Sequence, residues 1–160
     1  MFTTKIVETL SHIEVFAGLT KDDLKAIAKK CQRVGFTRGE TLIEMGKPSA
    51  GFFVLTKGQV KVVVPERIEG KTERRASQII LNIMKEGDCF GEYSLIENKP
   101  GSASVIASQP GEALKLEKSA FEDLMANDPI AKTVYRNLLS ILIRRLRKKE
   151  QELDLVLVAG

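Results

Sequence analysis

Between residues 33 and 116 the chain breaks into seven short apolar or alternating runs, at 33–36, 41–45, 51–55, 59–64, 77–84, 102–107 and 113–116. Most of the gaps hold turn chemistry: Arg38-Gly39-Glu40, Gly46-Lys47-Pro48-Ser49, Lys57-Gly58, Lys85-Glu86-Gly87 and Gln109-Pro110-Gly111. Runs of this length, rich in Val, Ile and Phe and separated by Gly and Pro, are strands. Many short strands at close spacing predict an antiparallel sandwich, jelly roll or barrel, because a parallel sheet needs a helical crossover between strands.

Helical periodicity appears only outside that block. Ile6, Leu10, Ile13 and Phe16 recur at helical spacing and end at Gly18. Thr20 and Asp23 form a capping-box-like start, with Leu19 and Leu24 placed as a hydrophobic staple, so a helix is predicted over 20–30. A second capping box is read at Ser119 and Glu122, opening a helix that stops near Asn127. Asp128-Pro129 then starts a long helix with Asp as N-cap and Pro at its first position. Its stripe of Tyr135, Leu138, Leu139, Leu142, Leu146 and Leu153 outruns the domain, and Leu155 to Val158 extend it as an apolar tail. A monomer rarely exposes such a patch, so the helix predicts a homodimer seam ahead of a tail folded back on its own domain.

Composition excludes several classes. A chain of 160 residues is one domain with a sizeable core, and no apolar run approaches the ~18 residues of a membrane span. With no signal-like start, the expectation is a cytoplasmic protein that does not enter a membrane. Cys31 and Cys89 lack metal-ligand spacing and read as reduced core or near-core thiols ahead of a disulfide between them. His12 is the only histidine, so no Ser/His/Asp set or multi-histidine metal site can be assembled, and no catalytic residue is nominated. Five of the six residues from Arg144 to Lys149 are cationic, but a basic run on one helix is a solvated face unless a recognition motif accompanies it, and none does. The insert 65–76 is charged with few apolar residues and reads as an exposed mobile loop. Within it, Arg74-Arg75-Ala76-Ser77 matches a basic-directed kinase pattern, leaving a modified Ser77 open beside a plain solubilising loop.

The stretch 87–105 carries the functional signal. Gly91 stands before a run, Glu92 to Ile96, that can form one or two helical turns, and an Asn98-Lys99-Pro100-Gly101 turn leads into the sixth strand. Glycine at a strand-to-helix junction permits close backbone approach, and the amides that follow point outward as an anion cradle. Ser102 and the amide of Ala103 are expected to face the same space.

Phe90-Gly91-Glu92-Tyr93-Ser94-Leu95, followed by Pro100-Gly101-Ser102-Ala103-Ser104-Val105, resembles the phosphate-binding cassette of the cyclic-nucleotide-binding domain family. The glycines at 39, 46 and 58 are similar to that family's pattern, and the resemblance spans roughly 16–147. It implies a mainly β fold, an eight-stranded jelly roll with N-terminal helices over 1–128, and a C-terminal helix over 129–160 that pairs two chains and lids the ligand. It also implies that Glu92 takes a ribose hydroxyl, while the amides of Gly91 to Ser94, Ser102 and Ala103 take a cyclic phosphate. Phe90, Tyr93 and Lys99 complete the expected ligand-binding set. Gly101 stands where the family places an arginine that forks onto the phosphate. Lys99 offers only a point charge in its stead. Lys148, Lys149 and Glu150 stand where the family's lid carries hydroxyls.

Two functions follow from the resemblance. One is a regulatory module, not an enzyme, that senses a small anionic ligand such as a cyclic nucleotide and relays it through the C-terminal helix to an unknown effector protein. The other is a structural or interaction module whose pocket has degenerated. No cofactor is expected, and no specific nucleic-acid partner, because too little chain follows the long helix to form a helix-turn-helix.

Overall fold

A computed structural model of the chain describes residues 1–65 and 78–159. The loop expected at 65–76, apart from Pro65, and the kinase-like pattern ending at Ser77 lie outside the described residues.

Eight strands occur among the described residues: β1 (Gln32–Phe36), β2 (Thr41–Ile43), β3 (Phe52–Lys57), β4 (Val60–Val64), β5 (Ile79–Met84), β6 (Cys89–Phe90), β7 (Ser104–Ala107) and β8 (Gly111–Leu116). They form two antiparallel four-stranded sheets, ordered β1-β8-β3-β6 and β2-β7-β4-β5. This is the expected jelly roll with flanking helices. β6 is the strand that periodicity missed, because two residues carry no period; its pairing, Phe53 with Phe90 and Val54 with Cys89, delivers the chain to Gly91. The sixth run begins pairing at Ser104 rather than 102, leaving Ser102 and Ala103 on the bend before β7.

The helices are α1 (Phe2–Ser11), α2 (Lys21–Lys30), α3 (Glu92–Glu97), α4 (Lys118–Met125) and α5 (Asp128–Ala159), with a 3-10 turn over Glu14–Phe16. The Thr20 capping box forms: the Asp23 N–H donates to Thr20 Oγ1 (3.1 Å) and the Thr20 N–H donates to Asp23 Oδ2 (3.2 Å). The second predicted box does not. α4 starts one residue before Ser119, with Glu117 at the N-cap and no side-chain bond there. The cap of α5 is Asn127, whose Oδ1 accepts from the Ile130 N–H (3.2 Å), so Asp128 sits inside the first turn. Either residue type suits an N-cap, and sequence could not choose between adjacent candidates. His12 caps α1, its Nδ1 donating to the Glu8 carbonyl (2.9 Å). No helix of the described residues is long and apolar enough to cross a membrane.

Strand β3 explains why two cores coexist. Phe52 and Val54 face the helices, packing with Leu10, Phe16, Ile27, Phe121 and Leu138. Phe53 and Leu55 face between the sheets, with Phe36, Ile43, Phe90 and Val105. A strand covered on both faces reads as a continuous apolar run, not an alternating one. Burying each such side chain contributes about 1.5–3 kcal/mol. α5 joins the helix layer through Ile130, Val134, Leu138 and Ile141. It is tied down at the edge by Asn137 Nδ2, which donates to the Val15 (3.0 Å) and Ala17 (2.8 Å) carbonyls. Arg144 forks onto both oxygens of Glu14 (2.8 and 2.6 Å) and holds that carboxyl below its ordinary pKa, although so exposed a pair contributes at most about 1 kcal/mol.

Candidate functional site

Gly91 follows β6 and caps α3 in the left-handed region (φ +88°), where a Cβ would collide with the Gly51 carbonyl oxygen. Its backbone therefore packs closely against the residue that precedes β3, and this turn swings Glu92 inward. Phe90 stacks on Phe53 (centroids 4.9 Å apart, 3° between planes) and forms part of the cup's apolar floor. α3 ends on Asn98, itself left-handed (φ 55°), and that turn sends Lys99 outward.

A cavity of about 280 Å³ opens between α3, the bend before β7, β5 and the underside of α5. Phe90, Gly91, Glu92, Tyr93 and Ser94 line one side, and Gly101, Ser102 and Ala103 another. Eight of the nine residues expected from sequence thus meet at one cavity. Lys99 does not join them: its side chain is 73% exposed and pairs with Glu97 at 3.6 Å. Ser104 is buried and structural, its Oγ accepting from the Met45 N–H (2.9 Å).

The lid is Leu142, Arg145, Leu146 and Lys149 of α5, spaced to fall on one helix face. Arg145 is the cavity-lining residue that the basic run concealed. Its Nη1 donates to Glu92 Oε1 (3.1 Å) and its Nη2 to the Cys89 carbonyl (2.8 Å). Glu92 is 3% exposed, and its Oε2 is buried with no partner. Burial raises the Glu92 pKa above its ordinary range, against the lowering by its own backbone N–H and by Arg145. Burial also pushes the Cys89 and Cys31 thiols up to about 12, which disfavours the reactive thiolate at both. Arg144, Arg145 and Lys149 are each paired with a carboxylate, which leaves the basic run far less cationic than its composition.

Glu92 thus sets a buried carboxylate with one unpartnered oxygen into the wall of a cavity whose other walls are mostly apolar. A family model described as "Cyclic nucleotide-binding domain" matches residues 33–128. A cGMP-dependent protein kinase, egl-4, of Caenorhabditis briggsae is 34% identical over 125 residues, covering 78% of this chain but only 16% of the kinase. A CRP-like cAMP-activated global transcriptional regulator of Mycobacterium tuberculosis is 28% identical over 150 residues, 93% of this chain and 62% of the regulator. The crystal structure of a cyclic nucleotide-binding domain from Methylobacillus flagellatus superposes with a TM-score of 0.75 at 25% identity, covering 94% of this chain and 82% of that one.

Proposed function

We propose that this chain, which belongs to the cyclic nucleotide-binding domain family, is a cytoplasmic binding module that senses a small anionic, hydroxyl-bearing ligand in its cup and relays occupancy through α5 to an effector protein. The observation that carries this reading is the Glu92 carboxylate: almost wholly buried in the cavity wall, with one oxygen unpartnered and the other held by the lid helix. Leaving a buried acceptor empty costs about 1–3 kcal/mol, which a ligand hydroxyl removes. The same group joins cup and helix, so occupancy and helix position are linked through one residue. A ligand shifts that equilibrium only by its difference in affinity between docked and undocked α5.

Titration with cyclic AMP and cyclic GMP, followed by thermal shift, tests the reading, since stabilisation follows RT ln(1 + [L]/Kd). No shift at millimolar concentrations of either removes the cyclic-nucleotide form of it. Position 101 offers a sharper measurement. A Cβ there meets only ordinary contacts, at 3.6 Å to the Ala103 and Glu44 oxygens and to Ile43. Gly101→Arg should fold normally and raise cyclic-nucleotide affinity about tenfold or more, the gain expected of a bidentate phosphate contact. An unchanged affinity means the amides of the cup are not available to a phosphate.

The output reading rests on the exposed face of α5. Leu139, Ile143, Leu146, Leu153 and Leu157 are all exposed and alternate by four and three, with Glu150 at the intervening seam position. That is the spacing of a two-stranded coiled coil, with one charged residue acting on register. Light scattering at micromolar concentration should give twice the chain mass. Leu153→Glu with Leu157→Glu should halve it, and a monomeric parent protein would count against the seam.

A further inference from the structure

The exposed apolar stripe of α5 has charged flanks, and their order carries information that the stripe lacks. In a heptad abcdefg, Leu139, Leu146 and Leu153 take d, Ile143 and Leu157 take a, and Glu150 stands at the a position between them. Ile at a with Leu at d suits two strands. The charged flanking positions are then Arg147 and Asp154 at e and Lys149 at g. The Lys149 side chain is 42% exposed and meets only Glu152 of its own helix (2.7 Å), an exposed pair that holds it loosely. Asp154 is exposed and makes no ion pair among the described residues.

Laid parallel and in register, two such helices set each g residue beside the e residue of the following heptad in the other chain. Lys149 of each chain then meets Asp154 of the partner subunit, once on either side of the two-fold axis. The same lysine flanks Glu150 of the partner subunit, where two carboxylates would otherwise face each other across the seam. An antiparallel pair that overlaps the whole stripe sets g against g and e against e, which brings Lys149 against Lys149 and Arg147 against Arg147. The apolar stripe accepts either arrangement; the charges accept only the parallel one.

We infer that Lys149 and Asp154 form an interchain lock that makes α5 a parallel, in-register docking surface for a second copy of this chain. This rests on the seam reading above and deepens it, adding orientation, register and the residues that fix them. Lys149 also lines the cup, so the lock sets a carboxylate of the partner subunit beside the cup wall.

Two charge reversals in the full chain test the lock, Lys149→Asp and Asp154→Lys, purified separately and followed by light scattering. Each variant paired with itself carries two like-charge contacts, and its dimer should dissociate about tenfold or more readily than the parent's. Mixed in equal amounts, the two variants restore an opposite-sign pair on both sides of the axis. They should associate about tenfold or more tightly with each other than either does with itself. With one variant isotopically labelled, native mass spectrometry should show the mixed dimer in large excess over both homodimers. At about 1 M salt, where screening acts within about 3 Å, these differences should shrink.

Variants that dimerise as tightly as the parent overturn the lock and leave the seam standing. A mixture that forms homodimers and mixed dimers in statistical proportion does the same, and so does one that stays monomeric beside a dimeric parent. A parent protein that is monomeric at high micromolar concentration overturns the seam and the lock together.

Discussion

Arg145→Ala is expected to destabilise the protein by about 3 kcal/mol at neutral pH, because removing one member of a buried pair leaves the other charge uncompensated. The low end of the usual range applies, since the Arg145 side chain is 19% exposed and Glu92 escapes part of the penalty by taking up a proton. Glu92 already has its pKa raised above the ordinary 4.5 by burial, with Arg145 among the groups opposing that rise. A carboxyl raised on folding contributes stability that is complete below its unfolded value and is lost as pH climbs through the folded one. Without Arg145 the folded value climbs further and the loss at neutral pH grows. The deficit of the variant against the parent protein, read by urea unfolding, should therefore be largest at pH 7 and shrink as pH falls towards 4.5. A deficit that stays constant over that range would assign the loss to the Cys89 carbonyl contact and to packing instead.

Gly91→Ala should be at least as damaging, for a different reason. The left-handed backbone costs an alanine about 1–2 kcal/mol, and forcing a methyl into the Gly51 carbonyl adds an overpacking cost of about 1–3 kcal/mol. The position also sets the direction of Glu92, so ligand binding should fail along with stability. Gly46→Ala is the control: its φ is +81° but nothing lies within 4 Å of the added methyl. It should show the backbone cost alone and melt well above Gly91→Ala. Equal melting temperatures would mean that β3 and β6 yield to the methyl without loss.

The path from residues to these effects was legible to different degrees. Turn chemistry and short runs located seven of the strands, and the Thr20 box and the α5 stripe are where periodicity places them. The residues of the cassette converge because a two-residue strand, a glycine turn and a short helix leave little freedom between Phe90 and Ser94. Lys99 was misplaced because nearness in sequence to Gly101 says nothing of direction; the left-handed Asn98 decides that. Arg145 was lost among its cationic neighbours, yet a signal existed. It lies four residues after Ile141 and seven after Leu138, both buried, so its place on the helix continues the inward stripe rather than the solvated face. A charge on an apolar stripe needs a buried partner, and Glu92 is the buried acid the cup supplies.

Arg144 and Arg145 are adjacent, about 100° apart around the helix axis, and they grip different bodies: Glu14 in the amino-terminal layer, Glu92 in the cup. Spinning α5 about its own axis to release one guanidinium would drag the other across its carboxylate. The motion that frees the cup side while sparing the Glu14 side is a tilt with its fulcrum near Glu14, which swings the far end through an arc. The stretch from Gln151 to Ala159 lies beyond that pivot, so under such a tilt it would be the long arm of a lever, turning a small displacement at one guanidinium into a larger one at the tip.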